Sequence, residues 1–316
     1  MDRLKEDLKH WIEEDVGEGD LTTLSTVKES VQAVGTFLAK AEGVVAGIDV
    51  VNLVFELVDV SLKVDWLVRD GDSVSNGKIM GTVKGSARGI LLGERLALNL
   101  LQRMSGIATL ARKMSMAAEK GARDCLKFPG HKCYILDTRK TAPGLRFCDK
   151  LAVKLGGAVN HRFGLYDMIM IKVCDFFILP KNFVQDNHVT AAGGISQAIK
   201  AAHEFLLSHG AEKTVQIEVE TRTLDEVKEA VEHAGIIHRI MLDNMVSFRE
   251  DGTMDTSMLE QAVDIIGGRV PTEASGNVTL NTVPGIAKCG VNYISSGQLT
   301  HSVTAMDISL KIKLST

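Results

Sequence analysis

Residues 134–146 read YILDTRKTAPGLR, a short apolar strand that stops abruptly on polar residues. The same pattern returns in DMIMIK (167–172), VQIEVE (215–220), RIMLDN (239–244), TEASG (272–276) and YISSG (293–297). Helical patterns fall between most of them, near 195–208, 224–234, 257–267 and 281–289. Thr223 and Glu226 have the spacing of a capping box for the second of these helices. Alternating strand and helix predicts a parallel sheet with helices outside it. Strands that all end in polar residues predict a closed or nearly closed α/β barrel, with its site at the C-terminal strand ends. Upstream the rhythm differs: a helix at about 2–14, strand-like segments near 33–40, 61–68 and 79–84, a helix near 47–58, and a long apolar helix from about Gly89. The stretch 70–77, DGDSVSNG, reads as a surface turn.

Composition narrows the function. With 316 residues, 45% hydrophobic and 24% charged, the chain can build a large core without staples. A net charge of −4 excludes a general nucleic-acid binder. No apolar run approaches the roughly 20 residues of a membrane span. The five cysteines (Cys125, Cys133, Cys148, Cys174, Cys289) show no metal spacing and fit free thiols in a reducing compartment. Met1 leads straight into an amphipathic pattern, so a cytoplasmic location is the expectation. Neither a dinucleotide fingerprint nor a Walker A loop is present.

The strand ends carry the chemistry. Arg139, Lys140, His161, Arg162 and Lys172 gather positive charge, with Arg103 on the long helix as a further candidate. Cations converging in a mildly acidic protein imply a small polyanion bearing carboxylates or phosphates, which arginine grips bidentately. Glu218 and Glu220 alternate on one strand face, and Asp243 ends the next strand. Carboxylates facing such a cluster suggest Mg²⁺ held together with substrate phosphates. Two Gly-containing segments, Ser275-Gly276-Asn277 and Ser296-Gly297-Gln298, offer backbone N–H groups to a phosphate.

On ERLALNLLQRMSGIAT (94–109), ILDTRKTAPGLR, DKLAVKLGGAVNHR, DMIMIK, DNH, IEVET, IMLDNM, EASGNVT and YISSGQLTHS, the chain resembles quinolinate phosphoribosyltransferase, closest in wording to plant members. The resemblance implies an N-terminal α/β sandwich over 1–102, rejoined by 298–316, and an incomplete α/β barrel over 103–297. It implies quinolinate and phosphoribosyl pyrophosphate as substrates, Mg²⁺, no organic cofactor, and a homodimer or higher homo-oligomer in which Arg103 acts in trans. Nucleic-acid and membrane partners are not implied. Arg139, Arg162, Lys172, His161 and the partner subunit's Arg103 would clamp the two carboxylates. Thr138, Lys140, Ser275, Gly276, Asn277, Ser296, Gly297, Gln298 and His301 would bind the remaining substrate groups. Glu220 and Asp243 would serve Mg²⁺ and the ribose, and Lys140, Glu220, Asp243 and Arg103 would be the catalytic set.

One segment interrupts the pattern. VCDFFILPKNFVQ (173–185) separates Lys172 from Asp186-Asn187-His188. Val173 codons begin with GT, Gln185 can end in CAG, and the phenylalanines, leucine, isoleucine and valine between them supply a pyrimidine-rich tract. The expectation is untranslated sequence carried into the message. The alternative function is therefore a catalytically impaired splice isoform that still dimerises. Plant relatives with an organelle-targeting extension make plastid or mitochondrion the alternative location.

Overall fold

A computed structural model describes residues 2–173 and 188–315 of the chain. These group into two compact units: Met1–Arg112 with Lys140–Ala158 and Leu299–Thr316, and Lys113–Arg139 with Val159–Gln298. The division falls within the helix Ala87–Arg123 at 112/113, ten residues beyond the expected 102/103. It also takes 140–158 into the first unit. Arg112 Nε donates to Gly156 O at 2.9 Å, and Arg103 pairs with Asp149, so this segment is tied to the long helix.

In the first unit, Ile308–Leu314, Gln32–Ala39, Ile79–Ser86 and Lys63–Trp66 form an antiparallel sheet in that order. The chain's last strand thus completes the sheet of its first hundred residues. Alternation puts Ala33, Phe37 and Ala39 in the core, where Phe37 stacks on Trp66 at 4.7 Å and meets Phe55 edge-on at 6.3 Å. The helices Asp2–Val16 and Ile48–Val58 contribute Leu4, Leu8, Val51, Val54 and Phe55. The turn at 70–77 has structural work: Asp70 Oδ1 accepts from the N–H groups of Gly47 and Ile48 and caps the second of these helices.

The second unit is a parallel six-stranded sheet in the order Tyr134–Leu136, Tyr293–Ser295, Thr272–Ser275, Arg239–Asp243, Gln216–Thr221, Met168–Ile171. Val159 adds an isolated parallel bridge to Leu136 on the free edge. Among the described residues Val159 is not paired with Met168–Ile171, so the barrel is incomplete. The fold is therefore the expected α/β class. The helices Ile195–Ser208, Leu224–Val231, Ser257–Ile266 and Val283–Lys288 lie where their periodicity placed them. Thr223 and Glu226 close both arms of their capping box. Nearly all of the interruption, 174–185, together with Asp186 and Asn187, lies outside the described residues.

Candidate functional site

Parallel register aligns the C-terminal strand ends, which is why residues distant in sequence share one rim. Following Tyr134–Leu136 come Asp137, Thr138 and Arg139; the Arg139 Nε is buried without a hydrogen-bond partner among the described residues. Beyond the Val159 bridge come Asn160, His161 and Arg162. The Arg162 guanidinium touches Met168 O at 3.4 Å and Met170 Sδ at 3.5 Å. Lys172 follows Met168–Ile171, with Nζ 3.8 Å from Glu220. Guanidinium and ammonium groups so placed are equipped to receive a planar dianion.

Glu220 and Asp243 come from neighbouring strands, and Arg222 bridges them, at 3.3 Å from Glu220 Oε1 and 3.2 Å from Asp243 Oδ2. Burial and the nearby Asp243 charge push the Glu220 carboxyl up to about 7, against the pull of Lys172 and Arg222. Two carboxylates held together at such a disadvantage fit a hard divalent cation, which would relieve it. Arg222 was not singled out from the sequence. Its two-residue offset from Glu220 was the available signal.

Deeper in the barrel lies a layer of charge where branched aliphatic residues are usual. His161 Nε2 is 2.9 Å from Glu218 and 3.5 Å from Glu273, and Arg239 Nη1 is 2.7 Å from Glu273 and 3.9 Å from Glu218. The Arg239 guanidinium also lies over the Tyr293 ring, 4.3 Å from its centre. Burial works against a charged imidazole and the two carboxylates favour one, drawing His161 upward, while Nδ1 accepts the Arg162 main-chain N–H and so has no room for a second proton. Burial and the Glu273 charge raise Glu218. In Glu273, the His161 and Arg239 contacts overcome burial and hold the carboxyl below its ordinary range. The ligand atoms of His161, Glu218 and Glu273 lie within 4.8 Å of one another, a metal-like spacing, yet a guanidinium already serves that trio. Glu273 and Arg239 were missed in the sequence, although a glutamate inside an apolar strand demands a partner.

The glycine-containing turns have backbone reasons. Asn244 and Asn277 adopt φ of 56° and 55°, and Gly276 has φ 88° with the Asn244 side chain where a Cβ would sit. Ser275 O accepts from Asn244 N at 2.9 Å, and Asn277 Nδ2 donates to Val246 O at 3.1 Å. Ser296 N donates to Leu136 O at 3.0 Å and its hydroxyl to Val278 O at 3.3 Å. Gln298 Oε1 is buried without a hydrogen-bond partner among the described residues. Lys140, Arg103 and His301 belong to the first unit. Lys140 is exposed, and its carbonyl accepts from Thr300 Oγ1 at 2.9 Å. His301 Nδ1 lies 2.7 Å from Ser302 Oγ.

Arg103 is engaged in its own chain. Nε and Nη2 donate to the two Asp149 oxygens at 2.8 and 2.9 Å, and Nη2 also reaches Thr300 O at 3.1 Å. Arg95 lies two turns earlier on the same helix, exposed, and lines the same surface hollow with Trp11, Asn99, Arg103, Pro143 and Leu145.

Comparison with known proteins gives one answer. Residues 20–105 and 107–311 match the N-terminal and C-terminal domains of quinolinate phosphoribosyl transferase. A Nicotiana tabacum protein, quinolinate phosphoribosyltransferase (decarboxylating) 2b, mitochondrial, is 48% identical over 98% of this chain and 82% of its own length. A chloroplastic nicotinate-nucleotide pyrophosphorylase (carboxylating) of Arabidopsis thaliana is 49% identical over the same shares. The crystal structure of NadC from Streptococcus pyogenes superposes with a TM-score of 0.81 at 33% identity, covering 98% of this chain and 96% of that one. With both domains matched in order along nearly its whole length, the chain belongs to the quinolinate phosphoribosyltransferase family.

Proposed function

We propose that this chain is an enzyme that transfers the phosphoribosyl group of phosphoribosyl pyrophosphate to quinolinate and releases carbon dioxide, forming nicotinate mononucleotide and pyrophosphate. The observation that carries this reading is the row of Arg139, Arg162 and Lys172 on the barrel rim beside the Glu220–Asp243 pair. The Arg139 Nε, without a hydrogen-bond partner among the described residues, supports an anionic ligand there. Three cations suit a dicarboxylate better than the single carboxylate of nicotinate. The pyridine nitrogen attacks the ribose C1′ as the bond to pyrophosphate breaks. The resulting pyridinium then accepts the electron pair of the departing carboxylate, and the ring carbon takes up a proton.

Thr138, Lys140, Ser275, Gly276, Asn277, Ser296, Gly297, Gln298 and His301 are the proposed partners of phosphate, pyrophosphate and ribose. Glu220 and Asp243 would hold Mg²⁺, which when bound neutralises the leaving pyrophosphate. Their own charge stabilises the cationic ribose of the transition state. Assay of nicotinate mononucleotide formation by the purified chain tests the whole reading; no product from both substrates with Mg²⁺ would end it. Excess chelator is expected to abolish the activity and added Mg²⁺ to restore it, and full rate in chelator would remove the metal from the scheme.

The active form is proposed to be a homodimer with an arginine donated across it. Arg103 was expected in that role, but it would have to leave buried Asp149 uncompensated. Arg95, exposed on the same helix, is the better donor. Arg95→Ala and Lys140→Ala chains, each inactive, should regain activity when refolded together, because mixed dimers contain one intact site. If Arg103→Ala complements and Arg95→Ala does not, the original assignment stands.

The interruption at 173–185 also has a direct test. Deleting it joins Lys172 to Asp186, and kcat/KM is expected to rise at least about tenfold, or about 1.4 kcal/mol. Equal or lower activity in a folded deletion variant would mean that the segment serves the enzyme.

A further inference from the structure

We propose that His161 is a positioning residue for Arg162 and not a ligand of the pyridine dicarboxylate. This inference rests on the functional reading above and assigns a different task to a residue expected to bind substrate. Both ring nitrogens of His161 are turned to the protein. Nδ1 accepts the main-chain N–H of Arg162 at 2.7 Å, and Nε2 faces Glu218 and Glu273 at 2.9 and 3.5 Å. The His161 main chain is fixed as well, its N–H donating to Asp137 Oδ1 at 2.8 Å, and Asp137 is fully buried.

On the other side of Arg162, the N–H groups of Phe163 and Gly164 donate to the two Asp167 oxygens at 2.6 and 2.9 Å. Arg162 is therefore the residue between two main-chain anchors, Asp137 behind it and Asp167 ahead. His161 transmits the first anchor through its ring. Beneath the ring, Arg239 locks the carboxylates in place: it bridges Glu273 and Glu218, and Tyr293 supports its guanidinium. The register explains the assembly, since Glu218 pairs with Arg239 and Glu273 with Tyr293 on neighbouring strands. Burying two carboxylates and a guanidinium in a barrel core costs desolvation energy that their close pairing offsets. Here they orient an imidazole, and the imidazole orients Arg162.

The ring receives opposed demands. The carboxylates favour a second proton, whereas the Arg162 N–H facing Nδ1 leaves no place for it. The main-chain donor is fixed by the turn, so the ring proton belongs on Nε2.

The test compares His161→Asn, His161→Gln and His161→Ala in the full-length chain with the parent. The side-chain oxygen of asparagine falls near the Nδ1 position and can accept from Arg162, whereas glutamine reaches the Nε2 position. His161→Asn is expected to keep the KM for quinolinate within about threefold. His161→Gln and His161→Ala should raise it at least about tenfold with kcat changed far less, the mark of lost ground-state binding. In the parent, ¹⁵N spectra of labelled histidine should show His161 protonated at Nε2 and bare at Nδ1. An asparagine variant as impaired as alanine, at unchanged melting temperature, would overturn the proposal, and so would a proton on Nδ1. If the alanine variant does not fold, asparagine against glutamine and the parent spectrum still decide. A parent chain that forms no nicotinate mononucleotide instead refutes the functional reading, and the histidine spectrum is read independently of it.

Discussion

Asp243→Asn is expected to lower kcat about a thousandfold while leaving quinolinate affinity within about twofold, the range seen when one preorganised electrostatic group is removed from a transition state. The substitution is close to isosteric. An asparagine oxygen can still accept from Arg222 Nε and Asn244 Nδ2, which now approach Asp243 Oδ2 at 3.2 and 2.9 Å. What disappears is the negative charge facing Glu220 across the strand pair. Three effects then coincide. The proposed Mg²⁺ site would lose one of its two carboxylates, the developing positive charge on ribose would lose a counter-charge, and Arg222 would keep its charged contact with Glu220 while facing a neutral oxygen at position 243. Quinolinate is proposed to bind through Arg139, Arg162 and Lys172, so its affinity has no reason to follow. Steady-state kinetics together with calorimetric titration of quinolinate separate the two quantities. An equal loss in affinity and turnover would show that Asp243 shapes the pyridine pocket, and near-normal turnover would remove it from the chemistry.

The barrel was legible because its signals are local. Six strands each announce their own end, and the helix after Thr223 declares its cap. The cation row was legible for the same reason: each member follows the strand that carries it. What could not be read is what depends on strand order. Glu218 posed a dilemma from the sequence alone, since an outward-facing carboxylate would be ordinary and an inward-facing one costly without partners. Only the adjacency of Gln216–Thr221, Arg239–Asp243 and Thr272–Ser275 brings Arg239 to it and Glu273 beside it. The contacts of segment 140–158 depend on tertiary structure in a similar way. The segment follows a barrel strand in sequence, yet its helix Arg146–Leu155 carries Asp149, whose partner lies 46 residues earlier. Sequence proximity to a motif said nothing about which core that helix would join.

The Arg103–Asp149 pair is expected to behave as a structural tie: Arg103→Ala should lower the thermal midpoint by about 5–10 °C, corresponding to roughly 3 kcal/mol for a broken buried ion pair. The asymmetry of exposure gives the sign and size. The Asp149 side chain is 0% exposed and that of Arg103 is 25% exposed, so removing the arginine strands a charge that water cannot reach. Ala142 N–H, 3.3 Å from Asp149 Oδ2, remains as partial compensation. Asp149→Ala should cost less, because the guanidinium it releases can turn to solvent. Replacing both, as Arg103→Met with Asp149→Leu, should recover most of the loss, since two apolar groups leave no buried charge behind. The same tie joins three separated stretches: the long helix, the 140–158 segment, and Thr300 near the C-terminus, whose carbonyl takes the third hydrogen bond at 3.1 Å. A melting temperature unchanged within a degree in Arg103→Ala would show that the guanidinium is not held by Asp149 in solution, and would return it to the pool of groups able to serve a neighbouring subunit.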